Sequence, residues 1–331
     1  MKVYIATIGS EWWNKEVADH FRALATRDRV KNHWLTDDPK QADVLLFVDL
    51  HQHPLDWNLK GLQQHPLSLK YPRKVMVYDE RDKPHCVFPG VFVSMPSPDF
   101  DGKRQRSFSY CQLKNELMRP SEEEAELLFS FLGANTHPVR GELLKLKHSR
   151  ALVVDTSGIN FFSLAEGTKT KEYQRAIQEQ KQRYQEVVAQ SKFVLCPRGW
   201  GTSSFRLYET LAAGRVPVII SDDWMPSPAD DWDVCSVRVA QNEVASIPAL
   251  LEEREADWPK MARAARTMFE EWIAPDVVFS RLADECEWLL RNGELGRKPH
   301  RLQLRDGAFR RNGARHLKNS LRALCAKLRR S

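Results

Sequence analysis

KFVLCPRGWGTSSFRLYETLAAGRVPVIISDDW, residues 192–224, reads as strand, glycine loop, helix and strand in succession. Phe193–Cys196 is an apolar run of strand length, and Pro197, Gly199 and Gly201 punctuate the turn after it. Thr202 or Ser203 is placed to cap a helix carrying Leu207 and Leu211, which Gly214 would end in a left-handed conformation. Val216–Ile220 is then a second buried strand, and two strands joined by a helix pair in parallel.

A glycine loop opening a helix lets backbone N–H groups approach a ligand, and the positive end of the helix dipole favours a phosphate there. Arg198 in the loop and Arg206 in the first turn or so add charge-assisted contacts to a diphosphate. Glu209 lies three residues beyond Arg206, on a neighbouring part of the helix surface, where a carboxylate can accept from both hydroxyls of a ribose. The competing reading is a solvated Arg206–Glu209 pair worth about 0.3–0.5 kcal/mol on a structural helix. A strand, turn and helix alone leave the two readings open.

The block CPRGWGTSSFRLYETLAAGRVPVIISDDW resembles the signature of exostosin-like glycosyltransferases, in which P-x-G, S-x-R-x-x-E, a glycine and P-V-I-I-x-D follow in this order. The resemblance implies an α/β chain of GT-B type: two Rossmann-type parallel-sheet domains facing across a cleft, moving a sugar from a nucleotide donor with inversion at the anomeric carbon. It implies no obligatory metal and no cofactor beyond the nucleotide sugar as co-substrate. By position, it puts Arg206 on the donor phosphates, Glu209 on the ribose, and Gly199, Gly201, Thr202, Ser203 and Ser204 beside the diphosphate. Retaining enzymes of this fold often carry another glutamate eight residues before the ribose-binding one; Gly201 stands there, which fits an inverting enzyme.

The resemblance extends along the chain. DDPKQADVLLFVDL, residues 37–50, is similar to the D-P-x-x-A-D lead-in of the exostosin N-terminal half, with Val48-Asp49 where V-P is usual. LLFSFLGANTHPVRGELLKL, residues 127–146, is similar to the start of the donor half, where F-x-G precedes an arginine. Arg140 would then reach the diphosphate from a second loop, or else cap its helix in solvent.

A chain of 331 residues suggests two domains, and 42% hydrophobic with 28% charged residues describes a globular protein, not a disordered or membrane-spanning one. No run approaches the roughly 20 apolar residues of a membrane helix. MKVYIATIGSEWW opens on a strand with no basic leader and signal core, and no membrane anchor of the animal exostosin kind precedes it, so a cytoplasmic location is expected. The six cysteines, Cys86, Cys111, Cys196, Cys235, Cys286 and Cys325, show no C-x-x-C spacing and read as buried thiols.

Lys2–Ile8 and Val44–Val48 read as strands around a helix with Val17, Phe21 and Leu24 on one face, a β-α-β start. Val75–Tyr78 is a third strand and Phe92–Met95 a fourth, while residues 101–120 show no sustained period and hold the domain junction. SEEEAELL carries a helix-capping signal at Ser121, Leu127–Leu132 and Ala151–Asp155 are strands, and residues 156–170 are a polar loop bordering the nucleotide. Lys171–Ser191 is a long helix, Val234–Val239 an edge strand, and three amphipathic helices follow from Glu243, Pro259 and Ala274, the last stopping at Gly293. The resulting division is an acceptor domain over 1–118, a donor domain over 119–293 and a tail over 294–331.

Residues just past the C-terminal ends of parallel strands face the ligand crevice. Asp49, His51, Asp79 and Glu80 occupy such places. The base that deprotonates an acceptor hydroxyl is therefore sought among Asp79, Glu80 and Asp49, with Asp79 first. The alternative is a solvated turn of Asp79, Glu80 and Asp82 with Arg81 and Lys83. His51 and His53 lack a third ligand at telling spacing for a metal, and Asp222, after the second signature strand, is cast as facing the donor sugar or acceptor.

Charge is unevenly placed. Between Arg297 and Arg330 twelve Lys and Arg face one acid, Asp306, a surplus of +11 that leaves −5 for the residues before them. Leu317, Leu321, Leu324 and Leu328 recur at helical spacing among those cations, so residues 309–331 form a basic amphipathic helix suited to an anionic membrane surface or to the protein's own acidic body. No loop or aromatic signature of base recognition accompanies them, so nucleic acid is not the expected partner. The partners expected are a uridine-linked nucleotide-sugar donor and a glycan or lipid-linked acceptor; a non-catalytic nucleotide- or glycan-binding subunit is the alternative function.

Overall fold

In VLLF and VMVYD, residues 44–47 and 75–79, every side chain is buried, and such runs form central strands of a parallel sheet covered on both faces. The computed structural model describes all residues except 54–55, 57, 122–123, 159–170, 230 and 299–331. It begins β1 (Lys2–Ala6), α1 (Trp12–Arg27), β2 (Trp34–Leu35), β3 (Val44–Phe47), α2 (Lys60–Gln64), α3 (Pro66–Lys70), β4 (Val75–Asp79), β5 (Gly90–Phe92) and β6 (Gln105–Ser107). These strands form one parallel six-stranded sheet in the order β2-β1-β3-β4-β5-β6. Its core gathers Leu45, Phe47, Val75, Val77, Phe88 and Phe92, each contributing about 1.5–3 kcal/mol by leaving water.

The chain continues through β7 (Leu127–Gly133), α4 (Pro138–Leu143), β8 (Ala151–Asp155), α5 (Lys171–Ala189), β9 (Ser191–Pro197), α6 (Phe205–Ala212), β10 (Val216–Ile220), β11 (Val237–Arg238), α7 (Ile247–Arg254) and α8 (Trp258–Trp272). A second parallel sheet has the order β11-β10-β9-β7-β8, with Phe129, Phe131, Phe193, Leu195, Val216 and Val218 at its centre. β11 is an edge strand, as its short run suggests, and Gly214 follows α6 at φ 65°, the left-handed residue expected there.

Both sheets share one winding. The second strand of each lies outside the first, and the third lies on the first strand's other side. The order reverses between β1 and β3 in one unit and between β7 and β9 in the other, and open parallel sheets receive ligands beyond the carboxyl ends at such a reversal.

The chain divides into two compact units, one of residues 1–109, 223–228 and 275 onward, the other of residues 110–222 and 229–274. This differs from the 1–118 and 119–293 division for identifiable reasons. α9 (Val278–Asn292) packs on α1, β5 and β6 of the first unit. There His33 Nε2 lies 2.7 Å from Asp284 Oδ1, and the Arg106 guanidinium sits 4.2 Å over the Trp288 ring. Residues 223–228 join the same unit because Ser97 N donates to Asp223 O and Ser107 Oγ to Met225 O. Residues 294–298 are pinned there too, since Arg104 donates to the carbonyls of Glu294 and Gly296 and Lys298 N donates to Val87 O.

β2 and β6 are strands that the hydrophobic pattern does not show. β6 buries Gln105 and Ser107, polar residues whose partners are the Asp101 N–H and the Met225 carbonyl. Residues 124–126, where a helix start was read, have no regular structure; the helix of the basic tail and most of the 156–170 loop lie outside the described residues. Among the described residues no helix is long and apolar enough to cross a membrane, and the five cysteines are free and buried.

Candidate functional site

β9 ends at Pro197, and residues 198–204 lead into α6. The N-cap is Ser204, in an extended conformation, not Thr202 or Ser203, and its side chain makes no capping hydrogen bond. The first-turn N–H groups of an α-helix have no intrahelical partners, and no acidic side chain stands in this first turn. Thr202 is 3% exposed, and its buried Oγ1 has no hydrogen-bond partner among the described residues. Its carbonyl accepts from Ser221 Oγ at 2.8 Å, fixing the loop to the end of β10. Ser203 Oγ lies 3.3 Å from Tyr208 Oη, and Tyr110 stacks on Phe205 with ring centroids 3.7 Å apart. Gly201 is buried in the loop, whereas Trp200 is 62% exposed at its tip.

Two arginines meet at the β7–β9 reversal and do different things. Arg206 reaches from α6 to β7, where its Nε donates to Leu132 O at 2.9 Å and its guanidinium lies 5.6 Å from the Phe131 ring centre. A Cβ on Gly133 would meet Arg206 Nη2 at 2.6 Å and Phe131 Cζ at 2.8 Å, so a side chain there would push the guanidinium from this position. Arg206 is thus a half-buried cation at the carboxyl end of the sheet. Arg140, read as reaching the diphosphate, is instead buried at 6% exposure. Its Nε, Nη1 and Nη2 donate to the carbonyls of Arg198, Ala134 and Pro197 at 2.9, 2.9 and 3.2 Å. A planar guanidinium supplies donors in a fixed fork, and here it ties the loop after β7 to the loop after β9. Arg198 is held from its backbone, its N–H donating to Ile220 O, and Gly199 follows it half-buried.

Glu209 is not a solvated ion-pair partner. It is 5% exposed, and its Oε1 accepts from Asn115 N–H at 2.8 Å. Burial pushes its carboxyl above the usual range, while the Asn115 N–H, the Arg206 charge and the Lys114 backbone pull it down. Asp222 is likewise engaged, accepting from the backbone N–H and side-chain amide of Gln241 at 2.9 and 2.8 Å, so it latches the loop after β11.

In the first unit the structure reorders the candidate bases. Asp79 is fully buried at the end of β4, and its carboxylate is clasped by Arg81 through Nε, Nη2 and the backbone N–H. Buried and held on both oxygens by a guanidinium, this carboxylate is occupied by Arg81. Asp49 is also fully buried; it accepts from Ile8 N, Gly9 N and Asn14 Nδ2, and His53 Nε2 lies 3.0 Å away. It thereby joins the loops after β1 and β3 at that sheet's reversal. Glu80 keeps 17% side-chain exposure, with its Oε1 3.2 Å from His51 Nδ1, within ion-pair reach but misaligned for a hydrogen bond.

The two reversals therefore have opposite character. In the first unit a buried anion consumes the loop N–H groups; in the second an arginine covers the loop carbonyls while a helix presents its N-terminus. An anionic ligand suits only the second. Sequence spacing missed Asn14, Asn115 and His53, because each acts on a partner 35, 94 and four residues away through folding alone. Among the described residues no group of three His, Cys, Asp or Glu is placed to hold a metal ion.

Residues 90–254 match the exostosin GT47 domain. The exostosin-1 homolog of Caenorhabditis elegans is 40% identical over 100 residues, 29% of this chain and 26% of that protein. A probable glucuronoxylan glucuronosyltransferase of Arabidopsis thaliana is 44% identical over 71 residues, 21% of this chain and 16% of that one. The chain thus spans about a quarter or less of the length of these relatives. Among solved structures, a T4 phage β-glucosyltransferase covers 87% of this chain and 97% of its own at 12% identity, with a TM-score of 0.41.

Proposed function

The chain carries an exostosin GT47 domain, and from that premise we propose that it is an inverting glycosyltransferase that moves a sugar from a uridine-linked donor to a hydroxyl of a glycan or glycolipid. The observation that carries this reading is the uncapped start of α6 beside Arg206, with the orphaned Thr202 Oγ1 buried in the same loop. Backbone amides, a hydroxyl and a guanidinium at a sheet reversal make a diphosphate cradle. Their positive character supplies the charge that stabilises a departing nucleoside diphosphate, so no metal is required of this site. Arg140 shapes the cradle without touching the ligand, and Glu209 holds residues 114–115 beneath it.

Calorimetry with UDP tests the reading. Wild-type chain binds UDP; Arg206→Ala weakens binding at least about tenfold, as loss of a charge-assisted contact of about 1.5–3 kcal/mol requires. Failure of the wild type to bind UDP or any other nucleoside diphosphate overturns it. The burial of Asp79 and Asp49 favours a second reading, a non-catalytic subunit that binds nucleotide, and turnover of a UDP-sugar separates the two.

A further inference from the structure

The loop between β9 and α6 carries one feature that a diphosphate cradle does not use, the indole at its tip. We propose that Trp200 determines donor specificity by stacking its ring on the pyranose of the bound nucleotide sugar. This rests on the glycosyltransferase reading above and gives the same loop the contact that tells a nucleotide sugar from a bare nucleotide.

A single exposed apolar side chain is ordinary in a folded protein, and what sets Trp200 apart is how the loop holds it. Trp200 is 62% exposed, whereas Thr202, Ser203 and Ser204 after it are buried and Arg198 and Gly199 before it are half-buried. Before the ring, the Arg198 N–H donates to Ile220 O at 3.0 Å and the Arg198 carbonyl accepts from Arg140 Nε at 2.9 Å. A Cβ on Gly199 would stand 3.1 Å from Arg140 Nη2 and 3.3 Å from Thr136 Oγ1, so the backbone there lies close against the segment after β7. After the ring, the Thr202 carbonyl accepts from Ser221 Oγ at 2.8 Å, and Ser203 Oγ lies 3.3 Å from Tyr208 Oη. The backbone is thus fixed on both sides of Trp200, and an indole has few rotatable bonds. Stacking on a ring presented in this way costs little conformational entropy.

The position selects the ligand. Trp200 precedes Thr202, whose buried Oγ1 has no partner among the described residues, and Ser204, where α6 begins with its first-turn N–H groups uncapped by a side chain. A nucleotide sugar with its diphosphate on those groups carries a nucleoside at one end and a sugar at the other. The exposure of the ring favours the sugar. A nucleobase passes through the transfer unchanged and is best held enclosed, with its edge groups hydrogen-bonded to protein; Trp200 is flanked by Gly199 and Gly201, which bring no side chain to such an edge. The sugar is the end that must stay open to an incoming hydroxyl. One face of a pyranose is a flat patch of C–H bonds, and covering it with an indole supplies affinity while the hydroxyls at the ring's edge stay in water.

The test uses the full chain with the variants Trp200→Ala and Trp200→Phe. Calorimetry gives the affinity of each for UDP and for UDP-glucose, UDP-galactose, UDP-glucuronic acid, UDP-xylose and UDP-N-acetylglucosamine. Fluorine NMR of chain labelled with 5-fluorotryptophan follows the ring itself, its resonance identified by its absence from Trp200→Phe. The wild type is expected to bind at least one of these UDP-sugars. Trp200→Ala should melt with the wild type, keep its UDP affinity within about twofold and lose at least about fivefold in affinity for that UDP-sugar. Trp200→Phe, which keeps an aromatic face, should recover most of the loss, and the Trp200 resonance should move further with the UDP-sugar than with UDP. The inference is overturned by unchanged UDP-sugar affinity in Trp200→Ala, by an equal loss for UDP and UDP-sugar, which would make the ring a nucleotide contact or a prop for the loop, or by a wild type that binds UDP and none of the UDP-sugars. Should Trp200→Ala not fold, the fluorine shift decides alone. Absence of UDP binding in the wild type is a different failure, which sinks the glycosyltransferase reading and the inference with it.

Discussion

Glu209 Oε1 accepts the backbone N–H of Asn115 at 2.8 Å, a bond spanning 94 residues that fastens the strand-to-strand approach of the second unit to α6. The side chain that the motif offers as a ribose ligand is thus also what holds residues 114–115 in place. Glu209→Ala leaves that buried N–H unpaired, at a cost of about 1–3 kcal/mol, whereas Glu209→Gln keeps a carbonyl acceptor and most of the stability. Urea unfolding of the two variants separates them, and equal midpoints would show the bond to be unimportant.

Two glutamates of this unit move stability with pH in opposite directions. Burial raises the Glu209 carboxyl, so the native state holds its proton longer than the unfolded chain does; stability is greatest below the ordinary value of 4.5 and falls as pH rises through the folded one. Hydrogen bonds from Arg150 and Lys192 lower Glu255 from 4.5 to about 2, so its contribution is complete above 4.5 and is lost as pH falls toward 2. Melting curves across pH 2–7 should show Glu255→Gln less stable than wild type at neutral pH, with the gap closing between about pH 4.5 and 2. Glu209→Gln should lack the decline above 4.5 that the wild-type side chain imposes.

Arg140 joins the carbonyls of Ala134, Pro197 and Arg198. Lysine carries the same charge but cannot present three donors in a plane. Arg140→Lys should therefore destabilise by about 1.5–3 kcal/mol for each carbonyl bond it fails to keep, and should speed amide hydrogen exchange in residues 198–204. UDP affinity should fall with it although Arg140 does not touch the ligand in the proposed site. Unchanged exchange in that loop would remove its shaping role.

How far the sequence reaches is clearest in these residues. Phe193–Cys196, Gly214 and Val216–Ile220 announce a parallel strand–helix–strand unit because apolar runs and a left-handed glycine are local properties. Arg206 at the sheet end is legible for the same reason, being fixed by its place on α6. The roles of Arg140, Glu209, Asp79 and Asp49 are not legible, since a charged residue past a strand can face a ligand or fold back on loop backbone. Only the partners decide, and those partners lie far along the chain or, for Asp79, in an arginine that reads as solvated. β6 escapes for a related reason: Gln105 and Ser107 are buried by hydrogen bonding, which hydrophobic periodicity does not register.

The basic tail offers a prediction that its attachment makes sharper. Truncating at the expected helix stop, Gly293, would remove the carbonyls of Glu294 and Gly296 that Arg104 holds and the Lys298 N–H that Val87 accepts, so a loss of function there would confound binding with folding. A chain ending at Lys298 keeps those bonds and loses Arg301 to Arg330, ten Lys and Arg against Asp306. If those cations hold the protein to a lipid surface, each near it contributes roughly 1 kcal/mol, an attraction that salt screens. Full-length chain should then sediment with vesicles containing phosphatidylserine at low salt and be released at high salt. The shortened chain should remain in the supernatant while melting and binding UDP as the full-length chain does. Equal sedimentation of the two would place any membrane contact on the folded body and not on the tail.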